Sequence, residues 1–106
     1  MTAPPFTPAA ERDLQAAAGW IARDNPASAE ALLRAALTAA RRSRDRPGMG
    51  RVRADLALAR YRLWPLRGFR YLLVYGTAPD PAHVVRIVHT ARDLPAALHD
   101  IGLDDL

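Results

Sequence analysis

The chain has 106 residues, half of them hydrophobic and a quarter charged, with no cysteine and a formal net charge of +4. That length fits one globular domain, and the composition excludes a disordered chain, a disulfide framework and a Cys-ligated metal. No run of about 18 apolar residues is present to span a bilayer, and the opening "MTAPPFTPAAERD" lacks the basic-then-apolar order of a secretory signal. The expectation is a soluble, cytoplasmic protein of one domain, 1–106, with residues 1–6 loose.

A first helix is expected from Thr7. Its hydroxyl can accept from exposed N–H groups at the helix start, and Pro8 suits the first helical position, where no donor is needed. Leu14, Ala17, Ala18 and Ile21 then recur on one face. "DNP" closes this helix and opens another, with Asn25 as cap and Pro26 at its first position. Ala29, Leu32, Leu33, Ala36, Leu37 and Ala40 make its apolar stripe, and so short a turn requires an antiparallel hairpin.

"DRPGMGR" stops the second helix, with Gly48 and Gly50 read as a helix stop and tight turn. Beyond it the period becomes 2. In "LARYRLW", Ala59, Tyr61 and Leu63 alternate with Arg60, Arg62 and Trp64. "GFRYLLVYG" is apolar on both faces apart from Arg70, which marks a central strand. "HVVRIVHT" follows a turn at "TAPDPAH" and pairs with it antiparallel. "RDLPAALHDI" predicts a short terminal helix capped by Asp93. The fold class is therefore α+β: an N-terminal antiparallel helix hairpin on one face of a small three- to four-stranded antiparallel sheet, with a short C-terminal helix.

Charge is distributed unevenly along this plan. All the basic residues are arginine, and residues 41–92 hold twelve of them against Asp45, Asp55 and Asp80. So concentrated a cation excess predicts a partner of complementary charge. Arg51, Arg53, Arg60, Arg62, Arg67 and Arg70 lie in or beside the strands, with Tyr61 and Trp64 among them. Arg and Trp dominate binding hot spots. Their aliphatic and aromatic stems can equally cover apolar sheet surface, and the two roles are compatible. Trp20, next to Ile21, belongs to the hairpin core or its rim.

The order of motifs resembles the ParE/RelE superfamily of toxins from bacterial type II toxin–antitoxin pairs. The resemblance spans roughly residues 7–101. It is carried by "A-E-R-D-L" in the first helix, "N-P" between the helices, "P-G-M-G-R", "G-F-R-Y-L-L-V-Y", "V-V-R-I-V-H" and "A-R-D-L" near the end. It is closer to the ParE branch than to the RelE branch. It implies two helices on a small sheet and a cognate antitoxin that wraps and neutralises the toxin. Members resembling ParE are associated with poisoning DNA gyrase, and those resembling RelE with cleaving messenger RNA on the ribosome.

The residues must choose between these activities. A metal-independent ribonuclease needs a base, cations for the phosphorane-like charge, and an acid for the leaving oxygen. Arg70, Arg86 and Arg92 can supply the charge but are poor proton shuttles. His89 can serve as the acid or base, although a structural role at a strand end competes. RelE-like nucleases usually carry a tyrosine, or histidine and tyrosine, after the last strand; "DLPAALHDIGLDDL" has no tyrosine. His83 and His99 have no partner spacing that suggests chemistry, and three scattered histidines make no metal site. "PGMG" lacks the lysine and hydroxyl of a phosphate loop. No cofactor or metal is expected. The reading is a binding-type toxin, with Arg51, Arg53, Arg60, Arg62, Trp64, Arg67, Arg70, Arg86 and Arg92 divided between antitoxin and target. Two alternatives remain open: an endoribonuclease using Arg70, Arg86, Arg92 and His89, and a non-toxic basic nucleic-acid-binding or adaptor domain.

Overall fold

A computed structural model describes residues 5–50, 61–77 and 81–90. Two helices, α1 (Pro8–Ala22) and α2 (Pro26–Asp45), precede three strands, β1 (Tyr61–Leu66), β2 (Tyr71–Gly76) and β3 (His83–His89). The sheet order is β1-β2-β3, with both pairings antiparallel. The expected terminal helix, with Asp93, lies outside the described residues.

Both helices start where their caps require. Thr7 Oγ1 accepts from Ala10 N at 3.1 Å, and Asn25 Oδ1 accepts from Ser28 N at 3.1 Å. Each cap contributes about 1 kcal/mol by satisfying a donor that the helix cannot. The proline after each cap supplies a helical φ without wasting a hydrogen bond.

The hairpin lies on one face of the sheet. Ala10, Leu14 and Ala17 of α1 and Leu32, Ala36, Ala39 and Ala40 of α2 meet Leu66, Tyr71, Leu73, Tyr75, Val84 and Ile87 in one buried cluster. Alanine at so many contact positions lets the helix backbones come close, while Leu32 and Leu73 supply bulk at full burial. Burying a leucine stabilises by about 1.5–3 kcal/mol. On the other side of the sheet, Leu63, Leu72, Val74 and Val88 form a second buried cluster. β2 is therefore apolar on both faces, and all six of its residues are buried, as expected for a central strand.

The outer edge of β3 is closed by the start of the chain. Val84 N donates to Pro5 O at 2.7 Å, and Thr7 N donates to Val84 O at 2.9 Å, which places Phe6 in a parallel bridge with Val84. Thr7 Oγ1 also donates to Val85 O at 3.0 Å. Of the six residues expected to be loose, Pro5 and Phe6 are described, and both are held on β3. Such covering removes the strand template that an exposed edge offers.

One residue further along, the register of β3 against β2 shifts between Val74 and Tyr75. There Asp13 of α1 takes the place of a neighbouring strand. Its Oδ2 accepts from Ile87 N at 3.0 Å and from Arg86 Nε at 2.6 Å, and its Oδ1 accepts from Arg86 Nη2 at 3.1 Å. The carboxylate thus fastens α1 to β3 through a two-pronged, charge-assisted contact.

Candidate functional site

Residues 34, 38, 42 and 46 are four apart, so along a helix they form a row with about 6 Å between neighbours. Arg34, Thr38 and Arg42 lie on α2, and Arg46, its C-cap, continues the row. All four are exposed. The stripe on the opposite side of α2 is buried, so the sheet-side apolar pattern leaves this row to face outward along β1.

Between the row and β1 run two concavities that share Arg42 and Trp64. The larger, about 550 Å³, is lined by Arg34, Thr38, Arg42 and Arg67 around Ala35, Ala39, Trp64 and Leu66. The smaller, about 420 Å³, is bounded by Arg42, Asp45, Arg46, Met49 and Trp64. Trp64 is half-buried against the main core and floors both. Four arginines thus rim an apolar floor, with Asp45 lining the smaller concavity and Glu30 4.0 Å from Arg34. The small side chains of Ala35 and Ala39 leave depth for an incoming segment.

Trp64 reaches this position through strand alternation. Arg62, Trp64 and Leu66 share the helix-facing side of β1, while Leu63 belongs to the cluster on the other face, with Tyr61 packed against it. The expected pairing of Arg62 with Trp64 on one face is what the strand shows. Arg62, however, is engaged: its Nη1 donates to Gly50 O at 2.9 Å.

Arg67 and Arg70 flank the β1–β2 turn and are both exposed. Phe69 N closes this turn on Leu66 O at 3.0 Å, and Gly68 at φ 84° occupies the left-handed region that favours glycine. Arg70 O accepts from Thr90 N at 2.9 Å, which ties the turn to the end of β3. The Arg70 guanidinium therefore projects from a backbone fixed at both sides.

The remaining expected residues are dispersed. Arg86 sits at the opposite edge of the sheet, in its ion pair with Asp13. His89 ends β3 and meets Tyr71 edge-to-face, with ring centroids 5.2 Å apart. Tyr71 is buried, so this aromatic partner was hidden in "FRYLLVY" and not in the segment after the last strand. His83 opens β3, its Nδ1 at 3.2 Å from Pro81 O. Trp20 is 57% exposed on the outer face of α1, with Arg23 over its ring at 5.1 Å, so it lies on the hairpin's surface and not in its core. Arg51, Arg53, Arg60 and Arg92 lie outside the described residues.

Arg34, Thr38, Arg42, Arg46 and Met49 were not expected as site residues. Their signal was present in the sequence as the four-residue spacing of three arginines and a threonine on the polar side of α2. What was missing was the knowledge that this side borders β1.

A helix hairpin on a three-stranded antiparallel sheet, with a cationic groove where α2 borders β1, defines a small α+β domain that presents a concave basic surface. The family whose model matches residues 5–94 is the ParE toxin of the type II toxin–antitoxin system, parDE. The chain belongs to that family, whose toxins pair with cognate antitoxins in type II systems. No curated protein matches it. Among the described residues, no helix is long and apolar enough to cross a membrane.

Proposed function

We propose that the protein arrests growth by binding and poisoning DNA gyrase, and that its antitoxin silences it through the groove between α2 and β1. The observation that carries the second part is the arginine-rimmed groove itself. Arg34, Arg42 and Arg46 stand one or two helical turns apart, the same spacing at which carboxylates four residues apart project from an acidic helix. An amphipathic segment would set an aliphatic side chain on Trp64 and its carboxylates on the rim, the helix-in-groove mode of recognition.

Gyrase as the target is supported by membership of the ParE family and by the character of the residues. The arginines offer charge and hot-spot area without an evident proton shuttle. Of the side chains that an endoribonuclease would use, Arg86 is bound to Asp13 and lies across the sheet from the groove. Arg67 and Arg70, both exposed at the β1–β2 turn, are assigned to target contact, together with Arg51, Arg53, Arg60 and Arg92.

Induction of the toxin in cells tests the target. Gyrase poisoning predicts broken chromosomal DNA and a DNA-damage response before protein synthesis falls. Fragmented messenger RNA with intact chromosomes would favour the ribonuclease alternative.

A further inference from the structure

The turn that follows α2 is gripped from below by two cross-strand neighbours. Arg62 of β1 and Tyr75 of β2 are register partners on the helix-facing side of the sheet. Tyr75, 0% exposed, is the largest fully buried side chain among the described residues. Its hydroxyl donates to Pro47 O at 2.8 Å and accepts from Gly50 N at 2.8 Å. Arg62 Nη1 takes the other side of the same residue, donating to Gly50 O. Both backbone groups of Gly50 are thereby satisfied by side chains of the sheet.

The fit admits only glycine. A Cβ at position 50 would stand 2.7 Å from Tyr75 Cε1 and 2.8 Å from its hydroxyl, with Leu63 O at 3.1 Å. Gly48, in contrast, has open space around it. Of the two glycines in "PGMG", Gly50 is therefore required by close approach to a buried phenol.

Turn and groove are physically continuous. Met49 N donates to Arg46 O at 3.0 Å, and Arg46 and Met49 together wall the smaller concavity. We propose that Tyr75 and Arg62 are positioning residues for partner recognition: they hold the turn of residues 47–50 so that Arg46 and Met49 stand ready at the groove's end before a partner arrives. This inference rests on the groove reading above. Preorganisation of this kind raises affinity by removing the ordering cost from the binding step. Because the Tyr75 hydroxyl is buried, no partner can touch it, and any effect of its removal on binding must pass through the turn.

The test uses the full chain and a synthetic amphipathic peptide helix of about 20 residues, with glutamate at every fourth position and leucines on the other face. Affinity is read by anisotropy, and amide exchange is followed on Met49 and Gly50. Measurements are made well below the unfolding midpoint of each variant. Arg42→Glu is the control for the groove. Tyr75→Phe removes only the hydroxyl. The expected result is a loss of affinity of about fivefold or more in Tyr75→Phe. Exchange at Gly50 should rise at least tenfold while exchange at Leu73 and Ile87 stays unchanged. Wild-type affinity in a folded Tyr75→Phe variant would overturn the inference.

Should Tyr75→Phe fail to fold, Arg62→Met and Arg62→Lys decide. Lysine retains a donor for Gly50 O and methionine does not, so affinity lost in Arg62→Met and kept in Arg62→Lys supports the clamp. Wild-type affinity in Arg62→Met overturns it. A peptide that binds wild type and Arg42→Glu equally would instead remove the groove reading, and the inference with it.

Discussion

Asp13 and Arg86 provide the sharpest test of which arginines build the protein and which serve its partners. Asp13→Ala removes three hydrogen bonds to one carboxylate, two from Arg86 and one from Ile87 N. Bonds to a charged group contribute about 1.5–3 kcal/mol each when isolated. Here the side chains of Arg86 and Asp13 are 29% and 18% exposed, so water competes for part of that. The Ile87 N–H also loses its acceptor at the sheet edge, which adds a desolvation cost. The expected loss is about 2–4 kcal/mol, less than the sum of three bonds because they share one carboxylate. In a domain of this size that lowers the midpoint by about 10–20 °C. Arg86→Ala should lose less, because Ile87 keeps Asp13. Urea unfolding of both single variants and the double variant closes the cycle, with a coupling energy of about 1–2 kcal/mol. Additivity within about 0.5 kcal/mol would show that the pair contributes nothing beyond its parts, and the account of how α1 is fastened to β3 would fail. A second readout separates this role from target contact. Below its midpoint, folded Arg86→Ala should still arrest growth. Loss of arrest at equal folded concentration would return Arg86 to the recognition surface.

Three further outcomes follow from the groove and its turn. Arg42→Glu should arrest growth like wild type yet resist its antitoxin, with neutralisation weakened at least about tenfold in a co-expression growth assay, because a like charge now meets the incoming carboxylates. Arg70→Ala should impair growth arrest while changing stability by no more than about 0.5 kcal/mol in urea unfolding, since its side chain is exposed and only its backbone is tied down. Gly50→Ala should destabilise by about 1–3 kcal/mol, measured by thermal unfolding, as overpacking against Tyr75 forces the turn to shift.

Much of the architecture is legible in the sequence because local chemistry and burial agree. Thr7-Pro8 and Asn25-Pro26 each join a cap to a residue preset for the first helical position, and the apolar spacing behind them continues without interruption into α1 and α2. The change of period after residue 50 announces the strands, and the doubly apolar "YLLVYG" announces which one is central. Family membership, too, is carried by motifs that stand in the order of these elements.

The site is less legible, since each of its parts depends on what lies opposite. Arg86 and Arg70 have the same charge and both belong to the strand region, but only Arg86 meets a carboxylate, and that carboxylate is more than seventy residues away. Arg62 looks like its neighbours in an alternating strand, yet its donor is turned to Gly50. The row at 34, 38, 42 and 46 was periodic enough to be found, but a polar helix face usually means solvent. Only the placement of Trp64 and Leu66 beside it makes the face one wall of a groove. Gly50 reads as a turn residue, and its actual constraint, a buried tyrosine hydroxyl 25 residues later, cannot be seen locally.

Gyrase is the target proposed for this ParE-family toxin, reached by binding. Titration of the folded, antitoxin-free protein into a gyrase supercoiling reaction, scored for both inhibition and trapped cleaved DNA, tests it most directly. Inhibition should rise with toxin concentration, accompanied by accumulating cleaved DNA. Undisturbed supercoiling with no trapped cleavage, at concentrations of folded protein that arrest growth, would contradict it.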